Sequence, residues 1–139
     1  MSSEQYAFIH KNAVPTREEW QSAIDAAGFD LQLDPELRPF EDSGFSPCRL
    51  FGSGTGFEIY YDGSRETIDE FSEISDGRDF CISFRWGASF AEGAAAMIAS
   101  YVLAASFGAI VSYEGDDPED LTTLLAQTIA MLEEVKSRS

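Results

Sequence analysis

One histidine, His10, and two cysteines, Cys48 and Cys81, occur in the 139 residues, so the side chains that most often do nucleophilic or metal chemistry are scarce. A nucleophile needs a histidine or an equivalent base held beside a serine or cysteine. His10 ends the strand-like run Tyr6-Ala7-Phe8-Ile9-His10, where it reads as an exposed or hydrogen-bonded strand residue. Two cysteines and one histidine fall short of the four ligands of a structural zinc site. The run Gly52-Ser53-Gly54-Thr55-Gly56 offers backbone amides to an anion. No Walker-type lysine follows it, however, and the next residues, 57–61, are strand-like where a dinucleotide motif needs a helix. It therefore reads as a flexible hairpin tip, a place that often carries contacts to partners. No catalytic residue, metal ligand or cofactor is assigned, and the chain is expected not to be an enzyme.

Carboxylates are the abundant chemistry. Glu58, Asp62, Glu66, Asp69, Glu70 and Glu73 are numerous enough to invite a divalent cation or acid-base work, but their spacing fits neither an EF-hand nor a catalytic carboxylate pair. A solvated face that steers a basic partner fits better. The whole chain carries 25 acidic and 9 basic residues, a net charge of −16. Its middle third, residues 34–79, holds twelve acids against Arg38, Arg49, Arg65 and Arg78, half of that excess. Such a balance repels polyanions, which excludes nucleic acid as a direct ligand. Tyr60, Tyr61, Phe51 and Phe57 lie beside the acidic run, and strand alternation turns some of them outward. Tyrosine next to acid is a frequent composition of binding hot spots. The partner-contact candidates are Glu41, Asp42, Phe51, Ser53, Thr55, Glu58, Tyr60, Tyr61, Asp62 and Glu66.

The elements that would position these residues follow from periodicity. After the opening strand, Thr16 and Glu19 form a capping box for a helix with Trp20, Ala23, Ile24 and Ala27 on one stripe and Gly28 as its stop. Residues 29–33 alternate as a half-buried strand, and Asp34-Pro35 opens an acidic loop to Gly44. Residues 48–51 and 57–61 read as a hairpin across the glycine-rich tip. A short surface helix is expected over 66–74, closed by Asp76-Gly77. Residues 79–86 give the cleanest alternation, with Phe80, Ile82, Phe84 and Trp86 on one face and Cys81, Ser83 and Arg85 on the other. A long helix spans about 89–107, with Phe90, Ala94, Met97, Ile98, Tyr101, Val102 and Ala105 as its stripe and Gly108 as terminator. A strand follows over 109–113. The last helix is expected to start at an Asp117 cap with Pro118 in its first turn, burying Leu121, Leu124, Leu125, Thr128, Leu132 and Val135. The sum is one α+β domain over 1–139: a mostly antiparallel sheet of about five or six strands, covered by two long helices and a shorter one.

Length, at 139 residues, leaves room for one core. Residues 90–111 are long enough to cross a bilayer, but their alanine, serine and glycine are too weakly apolar to drive insertion, so a helix buried on most sides is expected. The polar residues Ser2 to Gln5 do not make a secretory signal, the cysteines read as buried free thiols, and a cytoplasmic protein is expected.

The opening strand followed by Pro15-Thr16-x-x-x-Trp20-Gln21-x-Ala23-Ile24, then Ser43-Gly44-Phe45-x-Pro47-Cys48-Arg49, Gly56-Phe57-Glu58-Ile59-Tyr60-Tyr61 and the alanine-rich helix around Met97, resembles the small acidic immunity proteins of bacterial type VI and polymorphic toxin systems. The resemblance runs through most of the chain in its order of elements, and its motifs are structural. It implies a cytoplasmic inhibitor that occludes a toxin's active site, with an acidic plug entering a cation-lined cleft of an enzyme that degrades a nucleotide cofactor or nucleic acid. Two other classes stay open: a small-molecule-binding domain in which Arg85 and Glu92 converge inside a pocket, and a chaperone or adaptor that leaves an effector's active site open.

Overall fold

A computed structural model describes residues 2–138. β1 (Ser3–Ile9) buries Gln5, Ala7 and Ile9 on one side, as a strand with one face on a core must. α1 (Arg17–Ala26) begins with the expected capping box, Thr16 accepting from the Glu19 amide and Glu19 from the Thr16 amide, and Gly28 follows it with a left-handed φ of 87°. Trp20 and Ile24 are its buried residues. The strand expected over 29–33 shortens to β2 (Leu31–Gln32), because only those residues find partners, opposite Arg49 and Leu50.

The hairpin is longer and its turn tighter than its composition suggests. All of β3 (Ser43–Leu50) pairs with β4 (Ser53–Asp62), from Ser53 to Tyr60, and the turn is Phe51-Gly52, with φ of 53° and 80°. Two consecutive left-handed residues make the turn whose twist matches that of the strands. Gly54 and Gly56, expected in the loop, are strand residues. Phe45 lies over Gly56, where an added Cβ would collide with the ring, so the glycine supplies space rather than flexibility. Pro47 is accommodated where β3 runs beyond the reach of β2.

α2 (Arg65–Glu70) is shorter than the span 66–74, its last residues continuing as turns to Asp76-Gly77. β5 (Phe80–Trp86), α3 (Phe90–Phe107) and β6 (Ile110–Tyr113) follow as expected, with Ser89 capping α3 and Gly108 ending it at φ 76°. α4 (Leu121–Ser137) starts later than expected: its cap is Asp120, which accepts from the Thr123 amide, so Pro118 lies in the preceding loop. Leu121 is exposed, while Leu124 and Thr128 are buried.

The six strands form one antiparallel sheet in the order β2-β3-β4-β5-β1-β6. α3 lies across it, touching β1, β3, β4, β5 and β6, with α1 and α4 packed on α3. That position accounts for its composition: ten residues, from Gly93 to Leu103, are buried, well beyond a single stripe. Its length and apolarity would suffice to cross a membrane, and half of it is enclosed by its own fold. The chain is a single α+β domain with its core between the sheet and the helices.

Candidate functional site

Alternation sends the other half of each strand's side chains to the opposite face of the sheet, which α2 and the turns after it partly cover. β5 runs through the middle of that face. Arg85 has Glu58 of β4 on one side and Glu4 of β1 on the other. One rung along, Ser83 lies between Tyr60 and Tyr6. Each tyrosine reaches back two residues along its own strand: Tyr6 donates its hydroxyl to Glu4 Oε2 at 2.6 Å, and Tyr60 donates to Glu58 Oε1. The face is thus a pair of glutamate–tyrosine units flanking one guanidinium.

The charges are unequally satisfied. Arg85 Nε lies 3.8 Å from Glu4 Oε1 and 3.1 Å from Ser2 Oγ. Glu58 makes no ion pair among the described residues and has the Tyr60 hydroxyl as its partner. The hydrogen bond to Glu58 raises the Tyr60 pKa, and burial followed by the bond to Glu4 raises that of Tyr6. Both hydroxyls therefore stay protonated and remain hydrogen-bond donors. Phe45, 62% exposed, adds an apolar surface next to Glu58.

At the far end of the face Asp62 ties α2 down. Its carboxylate accepts from Thr67 Oγ1 at 2.6 Å and from the Ser64 amide at 2.8 Å, and the Thr67 bond is the main cause holding its pKa below the ordinary 3.8. Phe71 then covers Tyr6 and Phe8, with ring centroids 5.0 and 5.4 Å away. Cys81 is buried beneath this cover, whereas Cys48 points to the helix side, so the two thiols lie on opposite faces of the sheet and are free. Burial pushes each thiol up to about 12, which keeps both protonated and unreactive near neutral pH.

The ten candidates from the sequence do not form one cluster. Glu58, Tyr60 and Asp62 share the open face, and Glu66 lies in the exposed first turn of α2 above it. Tyr61 points the other way, into a nest with Phe40 and Phe80, its hydroxyl buried without a hydrogen-bond partner and its pKa raised by that burial. Glu41 and Asp42 belong to the loop before β3, where Asp42 accepts from the Arg38 amide and lies 3.5 Å from its guanidinium. Phe51 and Ser53 form the hairpin tip. Thr55 lines a cleft of about 530 Å³ on the helix side, with Arg17, Cys48, Arg49 and Glu92. Arg85 does not reach that cleft: it is on the open face, and Glu92 accepts instead from the Gly87 amide at 3.2 Å. The convergence of Arg85 and Glu92 is thereby overturned, since successive elements carry them to opposite sides of the sheet. Among the described residues, no three His, Cys, Asp or Glu side chains come together as a metal site.

Glu4, Tyr6 and Phe45 escaped the sequence reading. A signal was present in the repeated Glu-x-Tyr spacing of residues 4–6 and 58–60, but only the register of β1 and β4 around β5 gives it meaning. The fold and this face define a small α+β domain with one sheet surface left open. No protein-family model, curated protein or solved structure matches the chain.

Proposed function

We propose that this protein binds another protein through the open face of its sheet and blocks it, acting in the cytoplasm as an immunity protein against an antibacterial toxin. The observation that carries the reading is the pair of glutamate–tyrosine units around Arg85, beside the exposed Phe45, in a chain of net charge −16. A sheet normally buries apolar side chains against helices. Here the second face instead presents carboxylates held in place by hydroxyls, with an aromatic ring beside them, which suits contact with a cationic surface. Enzymes that attack nucleotide cofactors or nucleic acid line their clefts with cations to hold phosphates, so an acidic face steers association with such a cleft and occupies it.

The test is co-purification with the product of the neighbouring gene, followed by growth assays with that product expressed in cells with and without this protein. A one-to-one complex and rescued growth are expected. Glu4→Gln with Glu58→Gln should slow association and flatten its dependence on salt. Undiminished binding by that double variant would sink the open face as the contact surface. An effector chaperone is distinguished by leaving the partner's activity intact in the complex.

A further inference from the structure

We propose that a cavity at the β1–β6 end of the sheet, on the helix side, binds a small uncharged aromatic heterocycle that carries both a hydrogen-bond donor and an acceptor. The cavity holds about 470 Å³, and its walls include Gln5, Trp86, Phe90, Met97, Tyr113 and Met131. That size suits one small molecule. The fold creates the space. Cross-strand register sets Ser3 opposite Trp86 and Gln5 opposite Tyr113, so β5, β1 and β6 together supply the floor. α4 rests on α3 rather than on the strands, which leaves the gap between α4 and that floor open.

Two polar groups in these walls lack partners. Gln5 is only 3% exposed, and its Nε2 donates to Ser100 Oγ. The Ser100 hydroxyl already donates to Ala96 O at 2.9 Å, so toward Gln5 it accepts. This fixes Nε2 on the Ser100 side and turns Oε1 away from it. Among the described residues Oε1 has no hydrogen-bond partner, and it is not sealed inside the core. The two indoles make the same contrast. Trp20 Nε1 donates to Ala99 O at 3.1 Å, whereas Trp86 Nε1, in a ring that is also buried, has no partner among the described residues. Gly93 leaves that edge of the Trp86 ring bare beside Met131, since an added Cβ would come 2.9 Å from Nε1. Buried amides and indole N–H groups ordinarily find partners. An acceptor and a donor left open on the walls of one cavity are therefore groups that a ligand completes.

The remaining walls set the class of ligand. Rings from Trp86, Tyr113 and Phe90 and the thioethers of Met97 and Met131 favour an aromatic occupant. Glu134 is the one charged residue among the described residues that line the cavity. It lies 3.5 Å from the Arg138 guanidinium, which in turn sits 4.3 Å from the centre of the Phe90 ring. The carboxylate thus already has its cation, and no cation in the walls awaits a phosphate or carboxylate. A neutral ligand fits these walls. The cavity lies on the face of the sheet opposite Glu58 and Arg85, so its occupancy stands or falls apart from the protein-binding reading.

Oxindole, a neutral bicyclic lactam with one N–H and one C=O, is the probe, titrated into the full chain while the indole N–H signals are followed by proton–nitrogen NMR. The chain has two tryptophans, and the Trp20 signal serves as the internal control. A saturable shift of the Trp86 signal is expected at probe concentrations below about 1 mM, with Trp20 unmoved. Gln5→Met keeps the length of the side chain without its acceptor and should weaken binding about tenfold. Ala130→Trp, at an exposed position of α4 that lines the cavity, should fill the space and abolish binding without lowering the melting temperature. Absence of a saturable Trp86 shift in the wild type would overturn the proposal. Equal affinity for indene, which has neither polar group, would reduce the site to an adventitious apolar cleft, and equal affinity for naphthoate would refute the demand for a neutral ligand. Undiminished binding by Gln5→Met would remove the acceptor from the site; should that variant fail to fold, undiminished binding by Ala130→Trp overturns the location.

Discussion

The two faces of the sheet come from the same strands and are opposites in chemistry. The helix side holds Ala7, Ile9, Ile59, Ile82 and Phe84, all fully buried; there the Gln5 amide donates to Ser100 Oγ and Trp20 Nε1 donates to Ala99 O at 3.1 Å, while the Tyr61 hydroxyl is buried without a partner. The open side holds Glu4, Tyr6, Glu58, Tyr60 and Arg85, in contact with one another and with water. The period-two geometry of a strand makes this division available at no cost in fold: a residue can change on one face without disturbing the packing of the other. Stability is concentrated on the first face, which leaves the second freer to vary.

The largest expected effect tests that division directly. Trp20 is fully buried, donates its indole N–H across the core, and meets Phe84 edge to face at 6.1 Å. Trp20→Ala should cost about 3–5 kcal/mol, by loss of apolar burial and the cavity left behind. Tyr60→Phe, which removes only a hydroxyl from the open face, should change stability by no more than about 0.5 kcal/mol. Chemical denaturation of both variants reads the contrast. Comparable losses would mean that the open face contributes to stability as much as the core does, and the division would fail.

That same asymmetry governs what could be read from the chain. The helix-side pattern was legible, because burial repeats every two residues in β5 and at helical spacing in α1, and because Thr16, Glu19, Gly28 and Gly108 punctuate the helices with known chemistry. The turn at Phe51-Gly52 was not, since glycine-rich composition points to a loop at 52–56, while cross-strand pairing of β3 with β4 and the cover of Phe45 over Gly56 hold those glycines in a strand. The start of α4 was misplaced for a related reason: Asp117-Pro118 and Asp120 both satisfy the local rules for a helix start, and packing on α3 decides between them. Of the candidate surface, Glu58, Tyr60 and Asp62 were found by their acid and aromatic character. Glu4, Tyr6 and Phe45 were missed, because a face assembled from β1, β3, β4 and β5 exists only through strand order.

A smaller effect probes how closely the helix layer approaches the sheet. Gly93, in the first turns of α3, leaves no room for a side chain: an added Cβ would come 2.9 Å from Trp86 Nε1. Trp86 is nearly buried and rests against Tyr113, so its ring must shift to admit a methyl group. Overpacking of this kind costs roughly 1–3 kcal/mol, and the better helix propensity of alanine returns about 1 kcal/mol. Gly93→Ala should therefore be destabilised by about 1 kcal/mol net, measured by thermal or urea unfolding, whereas a stabilised variant would show that α3 can lift from the sheet without penalty.

The smallest effect belongs to the end of the open face that α2 and Phe71 cover. Asp62 accepts from Thr67 and Ser64 and so fastens α2, and with it the Phe71 cover, to the end of β4. Its folded pKa is held below the ordinary 3.8, chiefly by the Thr67 hydrogen bond. A carboxylate depressed in this way contributes stability that is present above its unfolded pKa and lost as pH falls through the folded one. Wild type should thus melt slightly above Asp62→Asn at neutral pH, with the gap closing below about pH 4. Hydrogen exchange should locate the loss in α2 and leave α3 unaffected. A gap that persists at low pH would mean that the Asp62 charge is not what holds the cover, and that Phe71 packing on Tyr6 and Phe8 suffices to keep that end of the face closed.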